Sequence, residues 1–338
     1  RNKIINGAMV IDQRNAGASV TPASTPTYTI DRWNFQYTAN SKFSTQRSTT
    51  VPSGFTNSML VTSLSAYSVG SGDIFLVQQS IEGFNIADLA WGTASAATVT
   101  LSLWVRSSLT GTFGGALLNG AQNRSYPFTY AISSANTWEK KSITIAGDTT
   151  GTWATDNSSG IRVTFGLGAG ATYSGTAGEW VAAAKYTATS AVSVVGTNAA
   201  TWHVTGVQLE VGSTATEFES RSFGEELALC ERYCFVMAPS TNAAVAPAFA
   251  RTTTVAFGIA ELPVTMRATP TLAFSSNTDF QVQYLEAVAT STAMAASPEL
   301  HKNMIAFTAT VGSGLTAGQG MYIRDLNGGA TITASAEL

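Results

Sequence analysis

The chain has 338 residues, enough for two domains with sizeable cores, and charged residues make up only 12% of it, about half the ordinary ~25%. The formal net charge is -3, with no run of Lys or Arg, which argues against a nucleic-acid partner, because phosphate binding needs clustered cations. No apolar run approaches the ~18 residues of a spanning helix, the start lacks a secretory signal pattern, and seven Trp, ten Tyr and sixteen Phe supply too much apolar bulk for a disordered chain. Membrane insertion is therefore not expected. The chain opens on Arg1 rather than Met, so an upstream segment is expected to have been removed or to lie outside it.

Residues 1–27 read as an N-terminal connecting segment. From Tyr28 to Gly212 short alternating runs are separated by Gly, Ser, Asn and Asp, the punctuation of an all-β domain. The runs are "TIDRWNFQY", "SMLVTSLSAY", "DIFLVQQSIEG", "TVTLSLWVRSS", "NRSYPFTYAI", "TWEKKSITIAGD", "GIRVTFGLG" and "TWHVTGVQLEVG". In the fourth, Val99, Leu101, Leu103 and Val105 share one face, and Thr100, Ser102, Trp104 and Arg106 share the other. This predicts a jelly-roll-type β-sandwich over 28–220 in a mainly β protein.

The period then changes. Ser222 and Glu225 have capping-box spacing, and Phe223, Leu227, Cys230 and Cys234 follow at i, i+4, i+7 and i+11. A short linking helix over 221–235 is expected, with these four residues as its core stripe. Strand patterns resume in "TTTVAFGIAELPVTM", "TPTLAFSS", "FQVQYLEAV", "NMIAFTATVG", "GMYIRDL" and "ATITASAEL", a smaller C-terminal β tip domain over 236–338.

Chemistry-bearing constellations are few. His203 and His301 lie far apart without metal-ligand neighbours, and no nucleophile-elbow motif occurs. Glu217/Glu219 and Glu225/Glu226 flank the expected helix start, where negative charge meets the helix dipole. Asp148 and Asp156 offer either a Ca²⁺ cage or ordinary Asx turns, the turn reading being preferred. The glycine-rich "GLGAGATYSG" lacks a phosphate-loop lysine and reads as a mobile loop. Cys230 and Cys234 offer half a zinc site at most; buried core residues is the preferred reading, and a disulfide at this spacing has poor geometry. No catalytic residues and no cofactor are expected. The aromatics remain. Trp104 and Arg106 on the polar strand face, Tyr126 and Tyr130 on one face of "RSYPFTYAI", and Trp153 and Trp180 near loops are the candidate glycan-binding residues. Such rings either stack on sugar or are covered by a loop or a neighbouring subunit.

Several segments in series resemble bacteriophage tail-fibre and receptor-binding proteins that carry a carbohydrate-binding-module-like sandwich. These are "KIINGAMVIDQRNAG", "YTIDRW", "LSLWVRSSLTGTF", "NRSYPFTY", "NTWEKKSITIAGDTTGTWATDNSSG" and "VTGVQLEVGSTATEFESRSFGEELALCERYC", together spanning about Lys3 to Phe235. Within the resemblance Trp33, Trp104 and Glu210 fall at scaffold positions. It implies a virion surface protein, often a homotrimer, assembled in the host bacterial cytoplasm, with other virion proteins and host cell-surface polysaccharide as partners. The expectation is a non-enzymatic adhesin. A structural virion component is the alternative, and a polysaccharide depolymerase is a more remote one.

Overall fold

The computed structural model describes residues 2–285 and 287–338. The chain forms two compact units, one running through Glu226 and including Leu338, the other Leu227–Glu337. The protein is mainly β, as expected, with one α-helix among the described residues.

The first unit begins with β1 (Thr27–Tyr28), β2 (Asn34–Tyr37), β3 (Phe43–Ser48), β4 (Ser58–Ser63), β5 (Ile74–Glu82), β6 (Val99–Ser107) and β7 (Gly111–Asn119). It continues with β8 (Ser125–Ile132), β9 (Glu139–Ile145), β10 (Ser159–Ala169), β11 (Ser174–Gly175), β12 (Thr187–Ala188) and β13 (Thr201–Val211). One sheet has the order β1-β2-β5-β10-β7-β8 and the other β3-β4-β13-β6-β9. Strand β13 inserts between β4 and β6, and β10 between β5 and β7. That doubled interleaving of late strands into two sheets is the strand order of a jelly roll.

The inward faces explain the pairing. Val99, Leu101, Leu103 and Val105 are all fully buried, as the period-two pattern predicts. The Phe165 and Trp202 rings, from opposite sheets, lie 5.8 Å apart, and Trp202 Nε1 donates to Tyr130 Oη at 3.2 Å. Each such ring removed from water contributes about 2–3 kcal/mol. Strand β7, in "GTFGGALLN", carries no strand signal because its glycines mimic a loop. They serve packing instead: a Cβ on Gly115 would lie 2.2 Å from the Thr164 carbonyl oxygen, and one on Gly114 2.4 Å from Thr187 Oγ1. The run "GLGAGATYSG" is likewise structured rather than a bare loop. It starts inside β10, bulges between Gly166 and Gly168, and ends in β11.

The expected connecting segment 1–27 instead belongs to the sandwich unit. Ile4, Met9 and Ile11 are buried in it. Lys3 N donates to Leu209 O at 2.8 Å, and Gln79 clasps the Ile5 backbone through both its amide atoms. Asn6 bridges Ile11 and Asp31, and its carbonyl accepts the Trp33 indole N–H at 3.1 Å. Trp33 is thus a scaffold residue.

Helix α1 (Phe223–Glu231) begins with the expected capping box. Glu225 Oε2 accepts Ser222 N at 2.9 Å, and Ser222 Oγ accepts Glu225 N at 3.3 Å. The expected stripe is corrected in three places. Phe223 is 64% exposed, on the side of the first turn that it shares with exposed Gly224 and Glu225, and Leu227 is only partly buried. Cys234 lies beyond the helix, in the next strand, so the i+11 position is not helical. Cys230 and Cys234 are both fully buried.

The second unit contains β14 (Cys234–Met237), β15 (Ala244–Ala250), β16 (Val255–Glu261), β17 (Thr271–Phe274), β18 (Phe280–Tyr284) and β19 (Ala287–Thr290). It closes with β20 (Ala293–Ala296), β21 (Met304–Thr310), β22 (Gly320–Asp325) and β23 (Ile332–Ser335). A three-stranded sheet, β14-β23-β17, and a seven-stranded one, β19-β18-β22-β15-β16-β21-β20, are both antiparallel. Phe274 joins them, its ring 6.2 Å from Phe280 and 6.0 Å from Phe307. No helix among the described residues is long and apolar enough to cross a membrane.

Candidate functional site

The outer face of the five-stranded sheet carries an aromatic cleft, the candidate site. On β6 the period-two alternation that buries Leu103 and Val105 turns Trp104 and Arg106 outward, and both are partly buried. Trp104 sits opposite Thr205 of β13 and Lys140 of β9. Two loops supply further aromatic walls, Phe55 from the β3–β4 connection and Phe218 from the segment after β13, with ring centroids 5.3 Å apart. Ser53, Gly54, Phe55, Trp104, Lys140, Glu217, Phe218 and Ser220 line an open cleft of about 230 Å³.

Local geometry holds these parts in place. Gly206 sits at φ +60°, and a Cβ there would come within 2.6 Å of the Phe55 ring and 3.1 Å of Trp104, so only glycine permits this aromatic floor. Glu210, buried on β13, accepts Thr216 N at 2.9 Å and Thr216 Oγ1 at 2.7 Å, and Gln208 Oε1 accepts Glu219 N at 2.8 Å. These bonds fix the loop that presents Glu217 and Phe218. Glu210 is therefore scaffold, yet scaffold that shapes the cleft.

Beside the cleft, Arg106 Nε donates to Asn136 O at 2.9 Å, and Arg106 Nη1 lies 3.3 Å from His203 Nε2. A guanidinium only donates, so Nε2 is assigned as the acceptor and the imidazole proton to Nδ1, which lies 3.4 Å from Ser58 Oγ. Burial, with the Arg106 charge adding to it, pulls the His203 pKa down to about 4. His203 is thus neutral at physiological pH. Trp138 packs edge-on against it at 5.8 Å.

The other aromatic candidates sit elsewhere. Tyr130 and Trp153 are 5% and 7% exposed and belong to the core. The face of β8 that holds Phe128 and Tyr130 is the inward one, so neither Tyr130 nor Trp153 presents a stacking surface. Trp153, Trp91 and Trp180 form a three-indole corner with centroids 4.7, 5.3 and 5.4 Å apart, and Tyr126 packs 5.3 Å from Trp180. Every indole N–H in that corner ends on a backbone carbonyl: Trp91 on Ala97, Trp153 on Thr150, Trp180 on Ala146. Trp180 and Tyr126 are partly buried and structurally committed.

The Ca²⁺ reading of Asp148 and Asp156 gives way to ion pairing and turns. Both Asp148 oxygens receive the Arg124 guanidinium, at 2.7 and 2.8 Å, and the carboxyl lies below its usual range: burial opposes that shift, and bonds from Arg124 and Thr150 outweigh it. Asp156 is exposed and accepts Ser158 N at 2.9 Å. Among the described residues no group of three His, Cys, Asp or Glu side chains is placed to hold a metal.

Phe55 and Phe218 escaped sequence reasoning because isolated loop aromatics carry no periodicity. Glu217 also departs from expectation. It extends from the cleft rim, 98% exposed and 3.6 Å from Lys140, rather than standing at the helix start. Glu219 instead accepts Asn2 N at 2.6 Å.

No protein-family model matches the chain, and no curated protein matches it. Among solved structures it is similar to the enzymatically active domain of bacteriophage CBA120 tailspike protein 4 (12% identity, TM-score 0.34, covering 62% of this chain and 21% of that one). It is also similar to a CBM4 structure (12%, 0.33, 61% and 98%) and to a putative sugar binding protein from Bacteroides thetaiotaomicron (12%, 0.35, 63% and 100%). The matched part spans about a fifth of the tailspike chain.

Proposed function

We propose that the chain is a virion-surface protein of a tail fibre or related appendage that attaches the particle to its host. It would bind cell-surface glycan in the Trp104 cleft without cleaving it. The observation that carries the binding reading is the open cleft itself: three aromatic side chains offer apolar faces to sugar C–H groups, and Lys140, Glu217, Ser53 and Ser220 stand at hydrogen-bonding positions around them. The resemblance of the series Lys3 to Phe235 to phage receptor-binding proteins supports the attachment role. Glycoside hydrolysis uses two carboxylates facing one bond, whereas Glu217 is the one acid among the cleft-lining residues; this favours binding over cleavage. A homotrimer on the virion surface, assembled in the bacterial cytoplasm and joined to other virion proteins, would multiply weak single-site affinity through multivalency.

Purified protein is expected to be retained on immobilised polysaccharide from susceptible cells, to compete with virus for adsorption, and to scatter light as three chains. Failure to compete at saturation would favour a purely structural virion component. Release of reducing sugar would replace the non-enzymatic reading with a depolymerase.

A further inference from the structure

The outer face of the other sheet holds polar chemistry that the aromatic cleft does not use. Strands β5 and β10 pair with Ser80 opposite Arg162 and Gln78 opposite Thr164, and β2 brings Asn34 opposite Gln78. Period two places Gln78, Ser80, Arg162 and Asn34 on one face. It is the face away from Phe75, Val77 and Val163, which fill the sandwich core. Asn34 is 1% exposed, Gln78 0% and Ser80 1%.

Buried polar atoms are normally paired, since a donor or acceptor taken out of water without a partner is destabilising. Thr164 follows the rule: its Oγ1 donates to Tyr186 O at 2.7 Å. Its neighbours do not. Both amide atoms of Gln78, Asn34 Oδ1, Ser80 Oγ and Arg162 Nε are buried with no hydrogen-bond partner among the described residues. Arg162 is partly buried and makes no ion pair among the described residues. Burial pulls its guanidinium below the ordinary value. A second guanidinium, Arg32, reaches the same strand, donating to Ser80 O at 2.6 Å. Buried Glu82 lies farther along this face, opposite Ser159.

A partly desolvated guanidinium beside unmet amide and hydroxyl donors is complementary to an acceptor-rich, negatively charged group. We infer that Arg162, Gln78 and Ser80 form an oxyanion site on the outer face of the six-stranded sheet, the ligand being a free inorganic oxyanion or the carboxylate of an acidic saccharide. Arg162 Nε and the Gln78 amide nitrogen donate to the anion, and Ser80 Oγ–H adds a third donor. The site stands independently of the Trp104 cleft.

The test is thermal unfolding of the full chain at fixed ionic strength, with chloride replaced by phosphate, by sulfate or by glucuronate. The wild type is expected to gain about 4 °C or more once the anion exceeds its Kd about thirtyfold, and Arg162→Met is expected to lose that gain. A shift with phosphate or sulfate alone identifies an inorganic anion, and one with glucuronate as well extends the site to saccharide carboxylates; both support it. An unfolding temperature indifferent to all three anions, or an equal shift in Arg162→Met, overturns it. Should Arg162→Met not fold, Ser80→Ala in the same series decides: a reduced shift supports the site, and an unchanged one overturns it.

Discussion

Trp202→Ala is expected to remove about 3–5 kcal/mol of the first unit's stability, a large share of what holds a domain folded. Trp202 is 0% exposed and joins the two sheets by its contact with Phe165 and its N–H bond to Tyr130 Oη. Alanine leaves a cavity between the sheets and a buried tyrosine hydroxyl without that donor. Urea unfolding followed by circular dichroism measures the loss. A change below about 1 kcal/mol would mean that the sheets do not close on this ring.

The second large effect is acid sensitivity seated in His203. Its folded pKa is about 4, against about 6.5 in an unfolded chain, so between these values the unfolded state binds more protons. The neutral ring's contribution is complete above about pH 6.5 and is lost as pH falls through about 4, amounting to about 3 kcal/mol. The structural cause is plain: protonated Nε2 would become a donor facing the Arg106 guanidinium. Paired carboxylates such as Asp148 also lose stability in acid, so the informative comparison is His203→Gln against wild type. The variant is expected to show a stability curve between pH 7 and pH 4 flatter by about that amount; parallel curves would refute the assignment.

Much of the fold is legible in the residues. Period two identifies the inward face of β6 position by position, and the Ser222–Glu225 spacing identifies the cap of α1. Strands β3 and β7 are hidden, the one polar, the other rich in glycines that sheet packing rather than a turn requires. Residues 1–27 look like a tether because they lack periodicity, yet Asn6 and the Ile5 backbone are tied into the sandwich by side-chain bonds that no pattern announces. The site is less legible. Outward alternation singles out Trp104 and Arg106, but exposure of an aromatic depends on what the loops do. Loops bury Trp153 in an indole corner, the core takes Tyr130, and loops bring Phe55 and Phe218 to Trp104.

The proposed glycan platform is Trp104 and not the tryptophan corner. Titration calorimetry with a polysaccharide that the wild type binds, repeated on Trp104→Ala and Trp180→Ala with folding verified by circular dichroism, tests it most directly. Binding about 10–100-fold weaker in Trp104→Ala, equivalent to about 1.4–2.8 kcal/mol, and near wild type in Trp180→Ala is the expected result. Undiminished affinity in Trp104→Ala, with the loss falling on Trp180→Ala instead, would contradict it.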